Sequence, residues 1–187
     1  MKQRICRFIF YRLLGWKYVM TVPFHDKCVI CVAPHTTNWD LIMGKLFYGA
    51  LGRKACFMMK KEWFVFPLGL LFRAIGGIPV DRKRKNSLVD QMSERFALSR
   101  WFNLAITPEG TRKANAEWKK GFYYIALKSG VPILLFGIDY PSRTITCTRS
   151  FIPSGDIEMD MREIKEYYKL FRGKHPRNFS IGENPDK

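Results

Sequence analysis

The sequence predicts an α/β fold: a single domain with a largely parallel central sheet flanked by helices, plus an N-terminal amphipathic or membrane-interfacial helix. Three observations predict it. Short, apolar, β-rich runs occur at 29–33, 55–59, 104–107 and 133–137, as expected of buried strands. Helical stretches fall between them, at 39–50, 62–75, 87–99 and 117–128, and this alternation is the pattern of βαβ units. The polar clusters follow the strand runs, where open α/β sheets form their sites.

The chain of 187 residues suits one domain, and a hydrophobic fraction of 47% is ample for a core. We divide it into a basic, aromatic, membrane-associating segment at 1–24, a main domain at 25–172 and a polar tail at 173–187, read as a mobile end. As a helix, the first segment aligns Ile5, Ile9, Leu13 and Trp16, with Phe10 and Leu14 elsewhere. Arg7 and Arg12 interrupt it, which argues against a secretory signal. The stretch "KKEWFVFPLGLLFRAIGG" is apolar but too short to span a bilayer, and Pro67 should kink it or end a helix there. It reads as core, as a surface dipping into lipid or as the wall of an acyl-chain channel. Residues 144–149 suggest a further strand, and 156–172 a C-terminal helix with Asp156, Glu158 and Asp160 complementing the dipole at its start.

The net charge of +16 implies an anionic partner. Up to Lys61 the only acids are Asp26 and Asp40, and the basic residues there are mixed with large apolar ones. That mixture suits a membrane surface with anionic lipids. Zinc-finger spacing and RRM-type aromatics are absent, so nucleic acid is not the expected partner. Cys28 and Cys31 have C-x-x-C spacing inside a strand-like run, without a second ligand pair. They read as packed, reduced thiols, and no metal site is expected.

Three motifs carry chemistry. In "APHTTNWD", His35 and Asp40 are five residues apart, which on a continuous helix puts them on different faces. A turn through Pro34–Asn38 would let Asp40 fix the imidazole tautomer and leave the second nitrogen as a base. The competing reading is a helix start, in which Thr37 and Asp40 have capping-box spacing. In "TPEGTRK", 107–113, exposed amides beside Arg112 suit a phosphate, or else form an ordinary Pro-Glu-Gly turn. In "GGIPVDR", 76–82, glycines precede the charged pair Asp81-Arg82.

Together and in this order, the motifs resemble the glycerolipid acyltransferase family, the lysophosphatidic acid acyltransferases and related lysolipid acyltransferases. "VPILLFGIDY" resembles the family's fourth block, and "KKGFYYIALKSG" the Lys-Gly-led helix before it, so the resemblance runs from about 29 to 140. It implies His35 as general base and Asp40 as its orienting partner. It also implies that Arg82, Glu109, Gly110, Thr111 and Arg112, with Asn38 and Lys120, bind substrate; Glu109 should buttress Arg112 or its loop without touching phosphate. The implied reaction moves an acyl chain from acyl-CoA or acyl-carrier protein, as co-substrate and with no cofactor, to the hydroxyl of a lysolipid acceptor. The implied setting is peripheral or monotopic, on the cytoplasmic face of a membrane. Thr107, Lys113 and "VDR" depart from the usual family pattern, which leaves the acceptor headgroup open. Neither G-x-S-x-G nor G-x4-G-K-[ST] occurs, so no motif supports a serine hydrolase or a P-loop enzyme.

Overall fold

The computed structural model describes residues 1–81 and 87–182. Its centre is a seven-stranded sheet in the order β1-β7-β6-β2-β5-β3-β4. The strands are β1 Lys17–Met20, β2 Lys27–Ala33, β3 Cys56–Lys60, β4 Gly77–Val80, β5 Phe102–Ile106, β6 Ile133–Asp139 and β7 Thr144–Phe151. All neighbours are parallel except β6 and β7. Strand β2 lies between β5 and β6, and its run Cys28-Val29-Ile30-Cys31 is buried on both faces, so it is apolar throughout instead of alternating. Burial pushes both thiols up to about 12, so they stay protonated and pack as small hydrophobes.

The helices are α1 Lys2–Arg7, α2 Trp39–Ala50, α3 Leu68–Ala74, α4 Leu88–Leu98, α5 Gly121–Ser129 and α6 Ile157–Tyr168. The crossovers through α2 and α3 step the same way across the sheet, so right-handed connections put both on one face. Those through α4 and α5 step back and lie on the other. The first face is sealed by Phe10, Trp16, Met43 and Phe47 over Ile30 and Leu134. The second is sealed by Phe96, Phe122, Tyr123 and Tyr168 over Val29 and Leu135.

Most predicted strands and helices form within a few residues of their expected ends, and five places differ. The stretch 62–75 is not one helix: a 3-10 turn Lys61–Trp63 and α3 are separated around Pro67, because the residue before proline disfavours the helical region. Strand β4 contains Pro79 and Gly77, which argue against a strand in sequence; at the sheet edge, a missing ladder donor is tolerated. Strand β1 is too short to show periodicity and forms by pairing with β7. The tail read as mobile from 173 packs on the body as far as Gly182: the Trp118 Nε1 donates to Ser180 O, and Phe179 and Ile181 lie against the core.

The N-terminal helix also differs in register. A π-helical turn, Phe8–Leu13, follows α1 and widens the spacing, with Leu14 N donating to Ile9 O. Phe10 is thereby the buried residue, while Ile5 and Leu13 are exposed.

Candidate active site

The chain leaves the C-terminal end of β2 through a cis Ala33–Pro34 peptide and turns before α2 begins at Trp39. This turn brings the two ends of the H-x4-D motif together. His35 Nδ1 lies 3.1 Å from Asp40 Oδ2, with the imidazole 19% exposed and the carboxylate 2%. The same oxygen accepts the backbone amides of Thr36 and Thr37 at 2.9 and 3.0 Å. Asp40 therefore does both jobs that its spacing allowed: it binds the amides preceding α2 and it holds the imidazole. Nδ1 is committed to Asp40, which leaves Nε2 available to substrate.

The second motif meets the first from behind. β5 runs parallel to β2 beside it, so the loop after Ile106 emerges next to His35. Glu109 is wholly buried, and its Oε1 accepts the His35 backbone amide at 2.7 Å. Its Oε2 has no hydrogen-bond partner among the described residues. Burial pushes this carboxyl up to about 8, with the Asp40 charge adding to the rise and the His35 amide opposing it. Glu109 supports the histidine turn from inside. The loop is tied down by Asn115, whose side-chain amide donates to Glu109 O, and by the Lys119 amide on Pro108 O at 2.7 Å. Gly110 takes a φ of +68° at the bend.

Arg112 is exposed and donates to Asn38 Oδ1, so the guanidinium sits over the turn that carries His35. Thr111 accepts the Lys113 amide on its hydroxyl at 3.3 Å. These residues, with His35 and Asp40, form one group. Lys120 stands apart, at the start of α5 and ion-paired with Glu158 at 2.5 Å. Arg82 lies outside the described residues.

Three contributors are not apparent in the motifs. Tyr140, just past β6, donates its hydroxyl to Asp40 Oδ1 at 2.7 Å. The only sequence signal for it is a tyrosine ending the apolar run "VPILLFGIDY". The Thr36 hydroxyl accepts the His175 amide at 3.3 Å, which anchors the supposed tail to the histidine turn. Lys45 is the third, inside the cavity described next.

His35 and Asp40 stand in the wall of a cavity of about 500 Å³, within the range that encloses small ligands. Beyond them its walls are mostly apolar, with Leu41, Phe47, Phe57, Met58, Ile106 and Phe122 among the lining. The β3–β5 ladder covers only Cys56↔Leu104 and Phe57↔Ala105, and residues just past its end, Met58 and Ile106, line the cavity. Lys45 reaches in from α2, donates to Ala55 O and lies 4.7 Å from the centre of the Phe57 ring. Burial lowers its pKa to about 8. Among the described residues no group of His, Cys, Asp and Glu could hold a metal ion.

The family model described as Acyltransferase matches residues 18–138. Similar proteins carry the name 1-acyl-sn-glycerol-3-phosphate acyltransferase. That of Limnanthes alba is 28% identical over 92% of this chain and 68% of its own length. That of Limnanthes douglasii is 28% identical over 85% of this chain and 62% of its own. The human beta form is 29% identical over 73% of this chain, which spans half of that protein. Among solved structures, the 1-acyl-sn-glycerophosphate (LPA) acyltransferase PlsC of Thermotoga maritima has the same fold. Its TM-score is 0.60 at 19% identity, over 90% of this chain and 77% of that one. With the match covering both His35–Asp40 and the loop that supports it, this chain belongs to the acyltransferase family.

Proposed function

We propose that this protein is an O-acyltransferase that moves a fatty acyl chain from acyl-CoA or acyl-carrier protein to the hydroxyl of a lysolipid, with 1-acylglycerol 3-phosphate the first candidate. The observation that carries the reading is the His35 Nδ1–Asp40 Oδ2 pair at 3.1 Å in the wall of an apolar-lined cavity. Nε2 of His35 takes the proton of the acceptor hydroxyl as that oxygen bonds to the thioester carbonyl carbon. Asp40 stabilises the imidazolium. When the tetrahedral intermediate collapses, the C–S bond breaks and the imidazolium returns the proton to the departing thiolate. No acyl-enzyme forms. Arg112 and the amides around Gly110 suit the acceptor phosphate. The apolar walls suit an alkyl chain.

The same proposal puts the protein at the surface of an anionic membrane, peripherally and on its cytoplasmic side. No helix among the described residues is long and apolar enough to cross a bilayer. The 3-10 turn, α3 and the link between them nevertheless leave large apolar side chains uncovered: Phe66 is 85% exposed, and Trp63, Val65, Leu70 and Leu71 are exposed beside it. Lys60, Lys61 and Arg73 flank them. On the N-terminal helix, Phe8 and Leu13 are exposed among Arg4, Arg7 and Arg12. Apolar side chains rimmed by cations fit an acyl boundary beneath anionic headgroups.

The test is transfer of a labelled acyl chain from acyl-CoA and from acyl-carrier protein. The acceptors are lysophosphatidic acid, other lysophospholipids and hydroxyacyl amino-acid lipids, with wild-type and His35→Ala protein. Wild type forms product with at least one acceptor, and His35→Ala loses about a thousandfold or more. Folded wild-type protein that transfers nothing from either donor would sink the reading.

A further inference from the structure

Among the described residues Asp40 accepts four hydrogen bonds, divided unevenly between its oxygens. Oδ2 takes His35 Nδ1 and the Thr36 and Thr37 amides, all from the same short turn. Oδ1 takes one, the Tyr140 hydroxyl at 2.7 Å, from a residue 100 positions along the chain. Tyr140 is carried there by β6, which pairs with β2 in a register that sets Ala33 against Gly137. Its backbone is held as well: Tyr140 N donates to Arg172 O at 2.9 Å. The ring is braced by Trp16, which meets it edge-on at 5.1 Å between centroids and is itself buried. Trp16 lies between the N-terminal helical segment and β1.

We propose that Tyr140 is a positioning residue for the transfer reaction, with its hydroxyl fixing the second oxygen of Asp40 and Trp16 fixing the Tyr140 ring. The proposal rests on the acyl-transfer reading of His35 and Asp40. A carboxylate this buried has almost no water to turn towards, so its orientation is set by its protein donors. The three Oδ2 donors all belong to one loop and move with it. The Tyr140 bond ties that loop to the sheet, and it spreads part of the carboxylate charge away from the imidazole. Burial and the neighbouring Asp40 charge push the phenol above its ordinary 10, so it remains a donor throughout the working range of pH. Through Trp16, the segment proposed to meet the membrane is two side-chain contacts away from the base-orienting carboxylate.

Tyr140→Phe removes the hydroxyl and keeps the ring against Trp16. With the acyl donor and acceptor that the transfer assay selects, we expect kcat to fall about tenfold with both KM values within about twofold, since the lost bond is to a charged group and touches no substrate. The acidic limb of the pH–rate profile moves to higher pH, because the undivided carboxylate charge then faces the imidazole. In an Asp40→Asn background the same change has little further effect, as a residue acting only through Asp40 requires. Trp16→Leu, which leaves the hydroxyl in place but loosens it, lowers kcat in the same direction by a smaller factor.

NMR of histidine-labelled protein gives a readout that needs no turnover: the His35 ring resonances shift in Tyr140→Phe relative to wild type, because the carboxylate bonded to Nδ1 has lost a donor. Wild-type protein without transfer activity counts against the acyl-transfer reading. Unmoved His35 ring resonances and an unmoved pH profile in folded Tyr140→Phe overturn the role of Tyr140, as does an undiminished effect in the Asp40→Asn background.

Discussion

Replacing Glu109 by glutamine separates the burial of this side chain from its charge. The carboxyl has no exposed surface, one oxygen accepts the His35 amide, and the other has no partner among the described residues. Burial raises its pKa from 4.5 to about 8. The sign of the consequence follows from proton counting. Below pH 4.5 the folded and unfolded chains both hold the proton. Between 4.5 and about 8 the folded chain keeps it and the unfolded chain has lost it, so stability falls as pH rises through this window and levels off above it. Each pH unit is worth about 1.4 kcal/mol, which gives a limit of roughly 4 kcal/mol between about pH 4.5 and 7.5.

In Glu109→Gln the new side chain has the shape of the protonated carboxyl, offers the same carbonyl to His35 and carries no charge at any pH. The two proteins should therefore be about equally stable near pH 4.5, and the glutamine variant should be increasingly the more stable towards about pH 7.5. Urea denaturation of both proteins across this pH range measures this, and taking their difference removes the titration of every other group. A difference that is flat with pH, or that favours the wild-type carboxyl at the alkaline end, would refute the inference that Glu109 is folded in its neutral form.

Two further outcomes follow from packing and surface. A methyl group at Gly137 would stand 2.4 Å from the Phe171 ring, so Gly137→Ala should destabilise the fold by about 1–3 kcal/mol, seen as a lower melting temperature; an unchanged melt would mean that the ring moves freely. Sedimentation with vesicles containing phosphatidylserine should fall about tenfold for Phe66→Asp, and wild-type binding should weaken as salt rises. Equal binding of the two proteins would take the α3 segment out of the membrane contact.

Much of the candidate site was legible because it is local. His35, Asn38 and Asp40 lie within six residues, and Glu109, Gly110, Thr111 and Arg112 within four. In each case the residues follow a strand whose apolar run is visible in the sequence. Tyr140 was not legible, since nothing in "GIDY" signals that β6 will lie against β2 and bring a phenol to Asp40. Neither was the return of the C-terminal stretch, whose polar composition conceals that Trp118, Phe179 and the Thr36 hydroxyl hold it.

The sequence by itself determined the α/β class, the H-x4-D turn and the loop that supports it, because periodicity and turn chemistry act between near neighbours. The tertiary structure decided what those groups face. It put Phe10 inward through a π turn, buried Glu109 behind His35, gave the second oxygen of Asp40 its donor and hollowed a cavity beside the end of the short β3–β5 ladder. Each of these depends on which strands become neighbours, and strand order arises from the burial of whole faces, a property that no short stretch of sequence carries.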